Sequence, residues 1–288
     1  MVNLIELARV QYSGVRQAIT RTPAEVGLEY EDVAFPATDG VMLRGWFIPA
    51  DVTPAPTVVW VHGWPWNRLG NVAGQVPWSD RDVDFLPCTR GLHDGGFNVL
   101  MFDLANHGES DARPPLTYGE WESRDVAGAM AFLRAREEVV SDRIGAIGTS
   151  AGGSTVLYGT AAVQPIGALL VVQPTTVRVF RDNLARDLLG GIGPVFARTL
   201  SVLYWLRGAP SPGKHDPAVP ARDLGDTVVQ YVQGTGDQWG TMADVERMEA
   251  ATPRSLGIIA YPSEERYGGY QYINTHTDDV VEFFRRYV

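Results

Sequence analysis

The sequence predicts an α/β protein built on a mostly parallel, doubly wound sheet of about eight strands. Three observations carry that prediction. Short Val-rich runs recur along the chain, with helix-like stretches between them. Most of these runs are apolar throughout rather than alternating, as expected of strands buried on both faces. Strands and helices interleaved in one chain form a sheet covered on both sides.

The elements follow in order. Leu4, Leu7, Ala8, Tyr12, Val15 and Ile19 recur at helical spacing and predict a helix over 3–19, packed on its own domain. Strands are predicted at 29–36 and 41–48, joined through Thr38, Asp39 and Gly40 as an antiparallel start. Further strands are predicted at 57–61, 97–102, 143–147, 167–173, 227–233 and 255–261, with helices at 121–138, 152–163, 241–251 and 277–287. A long segment separates Gln173 and Pro174 from the strand at Thr227. From Val177 to Leu206 it is helical in pattern and crowded with large apolar side chains, and it breaks between Gly208 and Gly213.

Composition narrows the classes of function. A chain of 288 residues, 45% hydrophobic, is expected to form one domain over 1–288 with a large core. A formal charge of −10 argues against nucleic acid or an anionic membrane as partner. The lone Cys88 excludes an internal disulfide and suits a reducing, cytoplasmic setting. The N-terminus lacks a basic segment followed by an apolar core, so no secretory leader is expected. No apolar run reaches the roughly 20 residues that a bilayer-spanning helix needs, so no transmembrane segment is expected. No cluster has metal-ligand spacing, so neither metal nor cofactor is expected.

The chemistry concentrates at Gly148-Thr149-Ser150-Ala151-Gly152, which follows an apolar strand and opens a helix. A Gly-x-Ser-x-Gly turn in that setting lifts the Ser hydroxyl to the carboxyl end of the sheet and aims the next amide, that of Ala151, at whatever the hydroxyl attacks. Upstream lie His62-Gly63-Trp64-Pro65 at the end of a strand, then Asp103 at the end of the next, then Asn106-His107-Gly108-Glu109-Ser110.

In this order, these segments resemble the α/β-hydrolase superfamily over about residues 28–288. The resemblance implies Ser150 as nucleophile, Asp237 after the strand ending near Gln233 as the acid, and the amides of Trp64 and Ala151 as oxyanion donors. It also implies a cap over the site at about 175–222, with Phe180, Phe196 and Trp205 facing an apolar substrate pocket. His62, His107 and Asp103 read as residues that shape loops.

The base departs from the family pattern. The resemblance places a His just after the last strand, and the chain there reads Ser263 to Gly269 with Arg266 inside it and no His. The only downstream histidine is His276, in a stretch that resembles the cap of the final helix. Two readings stay open. In one, residues 263–275 form a loop that returns His276 to Ser150. The chain is then a serine hydrolase that cleaves an ester, thioester or amide of a small to medium, partly apolar acyl group through Ser150, His276 and Asp237. In the other, the base is missing near Arg266 and the protein is a ligand-binding or catalytically impaired relative. Either way the partner is a small acyl-bearing molecule.

Overall fold

Eight strands form one sheet in the computed structural model, which describes residues 3–163, 166–209 and 212–288. They are β1 (Glu31–Pro36), β2 (Met42–Ile48), β3 (Ala55–Val61), β4 (Asn98–Phe102), β5 (Val139–Thr149), β6 (Ala168–Val172), β7 (Val228–Gly234) and β8 (Ser255–Tyr261). Their spatial order is β1-β2-β4-β3-β5-β6-β7-β8. β2 is antiparallel to β1 and to β4, and the pairings from β4 through β8 are parallel. Each predicted strand is present, with β5 starting earlier than expected.

Side chains alternate between the two faces of this sheet. Val58 and Trp60 of β3, and Leu170 and Val172 of β6, join one apolar layer, while Val59, Val61, Leu169 and Val171 join the other. The first layer is closed by α1 (Leu4–Ser13), α2 (Leu86–Asp94) and the last helix, α8 (Thr277–Tyr287). The second is closed by α3 (Ser123–Arg134), α4 (Ala151–Val163) and α7 (Met242–Ala251). Helix α1 is shorter than the sequence predicts because Gly14 takes φ 74° and stops it, while Val15 and Ile19 still pack on the core from an irregular segment. Helix α2, which the sequence did not announce, opens with Pro87 in its first turn.

After β6 the chain builds two helices, α5 (Val177–Leu189) and α6 (Gly193–Leu206), linked through Gly190–Ile192. Taken together, Val177–Leu206 is long and apolar enough to cross a membrane by length and composition, against the expectation of no such segment. In the fold it is a hairpin. Gly193 lies so close to Ala185 that a Cβ there would meet the Ala185 carbonyl oxygen at 2.4 Å, and Arg181 of α5 donates to Ser201 of α6 at 2.7 Å. Gly208 takes φ 65° after the hairpin, and Pro210 and Ser211 of the predicted break lie outside the described residues.

Candidate active site

Ser150 sits between the end of β5 and the start of α4 with φ 53°, a left-handed backbone that a non-glycine residue adopts only at a cost. The turn is held by its own hydrogen bonds. Ser150 N–H donates to Val172 O at the end of β6 (2.9 Å), and Gly153 N–H donates back to Ser150 O (2.9 Å). The flanking glycines are steric necessities. A Cβ on Gly152 would lie 2.1 Å from Val61 O, and one on Gly63 would lie 2.9 Å from Ser150 Cβ. The local sequence thus builds the turn by close approach of β3, β5 and α4.

Asp237 lies in the turn after β7. Its Oδ1 accepts from the amides of Trp239 (3.0 Å) and Gly240 (2.9 Å), and its Oδ2 accepts from Gln233 Nε2 (3.3 Å). The group between Asp237 and Ser150 is Arg266. Its Nη1 is paired with Asp237 Oδ2, and its Nη2 donates to Ser150 Oγ at 2.9 Å. The two ion-paired side chains are 3% and 1% exposed, so solvent screens almost none of this contact.

Arg266 is set by local structure. It opens a one-turn helix, Arg266–Gly269, whose cap is Glu265, accepting from the amides of Tyr267 (2.7 Å) and Gly268 (2.8 Å). Gln173 ties the turn to the sheet: its Nε2 donates to Arg266 O (2.9 Å) and its Oε1 accepts from Gly234 N–H (3.2 Å). The guanidinium lies 5.2 Å from the Phe180 ring centre and 5.5 Å from that of Tyr270. Burial pulls against its charge. The attraction of Asp237, the tyrosines beside it and the hydrogen bond to Asp237 outweigh burial and hold the group above the ordinary arginine value. A guanidinium carries donors only, so it cannot accept the Ser150 proton.

Among the described residues, the other titratable side chains near Ser150 are buried or committed elsewhere. Burial first of all pushes the Tyr270 hydroxyl up to about 12. It faces Ser150 and Gln173 without aligned hydrogen-bond geometry to either. His62 and His107 are buried loop-shapers. His62 Nδ1 bonds to Gly63 O (2.8 Å) and its Nε2 accepts from Leu104 N–H (3.0 Å), so both ring nitrogens are committed to the backbone of the neutral tautomer. Burial lowers His62 to about 4 and His107 to about 3. Asp103 is likewise structural, accepting from Arg68 N–H (2.7 Å) and Glu109 N–H (2.8 Å).

The placement of His276 corrects the sequence expectation. Residues 263–275 do not form a returning loop, because two single-turn helices, Arg266–Gly269 and Tyr272–Thr275, take up that length. His276 emerges at the start of α8. Its ring stacks on Tyr272 (centroids 4.7 Å apart), meets the edge of Tyr261 (5.6 Å), and bonds through Nδ1 to the Thr275 hydroxyl (2.9 Å). It belongs to a surface groove with Ile259 and Asp279, away from Ser150.

A cavity of about 10 Å³, room for one water, opens beside Ser150 and is lined by Trp64, Tyr118, Ala151, Thr175, Val177 and Phe180. Trp64, Ala151 and Phe180 therefore share a space with the hydroxyl. Phe196 and Trp205 do not. Phe196 is half-buried outside this cavity, and Trp205 is 73% exposed because the inward face of α6 carries Gly193, Ala197, Leu200 and Tyr204. Sequence reasoning noticed Arg266 at the family position of the base but set it aside as chemically unable to serve. Gln173 and Tyr270 were missed, since only the folded sheet brings them to the serine.

Comparison with known proteins adds the family. The model of the alpha/beta hydrolase family matches residues 58–287. The uncharacterized protein YfhR of Salmonella typhi is 34% identical over 279 residues, covering 92% of this chain and 83% of that protein. The thiohydrolase aneE of Aspergillus aculeatus is 26% identical over 164 residues, 57% of this chain, which spans only 47% of that relative's length. Among solved structures, the esterase Pf2001 of Pyrococcus furiosus matches with a TM-score of 0.74 at 22% identity, covering 96% of this chain and 98% of that one. At that identity the likeness is one of fold.

Proposed function

This chain belongs to the alpha/beta hydrolase family, and from that premise we propose that it binds a small acyl compound at Ser150 while Arg266 holds the serine short of ordinary hydrolytic turnover. The observation that carries this reading is the Arg266 bridge between Ser150 and Asp237. Serine hydrolysis needs a group that takes the hydroxyl proton and later returns it to the leaving group. In this site the bridging side chain is a permanent donor, and the carboxylate meant to orient a base is spent on an ion pair. The rest of the machinery is supported by position. Ala151 opens α4 and Trp64 lines the same cavity, which supports their amides as donors to a ligand carbonyl. The α5–α6 hairpin serves as a lid, with Phe180 over the serine.

A second reading keeps turnover: a hydrolase of esters or thioesters whose proton acceptor arrives with the substrate. The intact turn at Ser150 and the thiohydrolase relative favour it. One assay separates the two, run on p-nitrophenyl esters of plain alkanoic acids and of acids that carry an amine as proton acceptor. We expect wild type near the uncatalysed background on both sets of esters, and Arg266→His to raise the rate, with Ser150→Ala abolishing any gain. Wild-type turnover at ordinary esterase rates that Ser150→Ala removes would overturn the first reading.

A further inference from the structure

A second cavity of about 10 Å³ lies under the hairpin and shares Tyr118, Val177 and Phe180 with the one beside Ser150. Its far wall is made by Gln11 of α1, Arg181 of α5, and Leu200 and Tyr204 of α6. Two donors there lack a hydrogen-bond partner among the described residues: Gln11 Nε2 and Arg181 Nε. Both residues are at least nine-tenths buried, at 3% and 9% exposure. The Tyr118 and Tyr204 hydroxyls both donate to Gln11 O, at 2.8 Å and 3.1 Å, and neither accepts from these two donors.

Arg181 is also short of negative charge. Its Nη1 bonds to the neutral Ser201 hydroxyl, and among the described residues its acidic contact is Asp182, at 3.5 Å with a side chain 45% exposed. A buried guanidinium is stable only when paired and hydrogen-bonded. A single water would satisfy a donor but would leave the charge uncompensated. An anionic acceptor satisfies both.

We propose that this cavity is a carboxylate subsite, so that the ligand is an acyl compound with its carbonyl at Ser150 and a carboxylate at its far end on Arg181 and Gln11. The proposal rests on the reading of Ser150 as the carbonyl site. Tyr118 and Phe180 form the partition between the two cavities, and entry requires the hairpin to shift. Half of the large apolar residues that the described chain exposes, Ile192, Val195, Val202, Trp205 and Leu206 among the ten, lie on α6 or just before it. The outer face of the hairpin therefore has little packing to lose when it moves.

The test is calorimetric binding to the full-length protein. Monomethyl esters of succinic, glutaric and adipic acid are compared with methyl butanoate, pentanoate and hexanoate. We expect at least one acid-ended ester to bind about tenfold or more tighter than its neutral counterpart. Arg181→Met should erase that preference and Arg181→Lys should keep part of it, with circular dichroism confirming the fold of each. Should Arg181→Met fail to fold, Gln11→Leu is expected to weaken the preference, and the wild-type comparison still decides. Equal binding of the two series to wild type, or a preference that survives Arg181→Met, overturns the subsite. Labelling of Ser150 by a fluorophosphonate in Arg266→His separates the failures. Labelling without the preference sinks the subsite alone, and the preference without labelling sinks the Ser150 reading alone.

Discussion

Ser150 has two flanks, and they are built in opposite ways. On one side the turn between β5 and α4 is assembled from neighbours in sequence, with glycines where strands and helix press together and a backbone at φ 53°. On the other side Arg266 reaches the serine from a segment 116 residues away, held by Asp237, Gln173 and a one-turn helix. The first flank matches what a serine nucleophile requires. The second sets a cation between Ser150 and Asp237, where the proposed reading would look for a base. The serine turn and the group beside its hydroxyl are thus specified by separate parts of the chain.

The sharpest way to break this contrast is at Arg266. If the cation is all that separates the two flanks from a working triad, Arg266→His should raise Ser150-dependent ester hydrolysis by about 10²- to 10⁴-fold, the range of a well-placed general base. Arg266→Met tests the structural half of the same contact. It leaves Asp237 buried with no counter-charge, and breaking a buried pair in this way costs about 3–5 kcal/mol. Urea unfolding measures that loss. A variant as stable as wild type would show that Asp237 is solvated in a way that its 1% exposure denies.

What was legible in the sequence divides along the same line. All eight strands and the serine turn could be read, because buried parallel strands are apolar runs and the turn needs glycines at fixed offsets. The Asp237 position could be read as well, from its place after a strand. The base could not. Whether residues 263–275 loop back or coil into two short helices depends on the Glu265 cap and the Gln173 brace, and the brace exists only once β6 and β7 are paired. The hairpin was read as apolar, but its facing was not. Trp205 and Tyr204 are adjacent, and only packing against Gln11 and Tyr12 decides that Tyr204 turns inward.

A smaller effect sharpens the contrast between histidines. His62 and His107, beside the serine flank, are held neutral by burial, at about 4 and about 3. The unfolded chain takes up protons on both below its ordinary value of about 6.5 while the folded chain does not, so stability falls as pH drops from there toward 4. Asp125 acts with the opposite sign. Burial raises it well above the ordinary carboxylate range, so the folded chain keeps a proton that the unfolded one releases above about 3.9. The two histidines therefore make stability rise as pH rises through this range, and Asp125 offsets part of that rise. Urea midpoints across pH 4.5–6 would show it, and a flat profile would mean that the two rings are hydrated in the folded chain.

The smallest expected effect is at His276, and it is the one that most directly opposes the two flanks. As the remote base of a triad, His276 would carry nearly all of the turnover, and its removal would cost several orders of magnitude. As the structure has it, the ring stacks on Tyr272, touches Tyr261 at the end of β8 and bonds to Thr275. Loss of an aromatic pair of that kind costs about 1 kcal/mol. His276→Ala should therefore shift the unfolding midpoint slightly and leave the esterase rate of wild type where it was. The same holds in the Arg266→His background, where turnover is large enough to measure a loss. If His276→Ala erased the gain made by Arg266→His, the two residues would have to share one proton path. The 263–275 segment would then have to unfold from its two helical turns to bring them together.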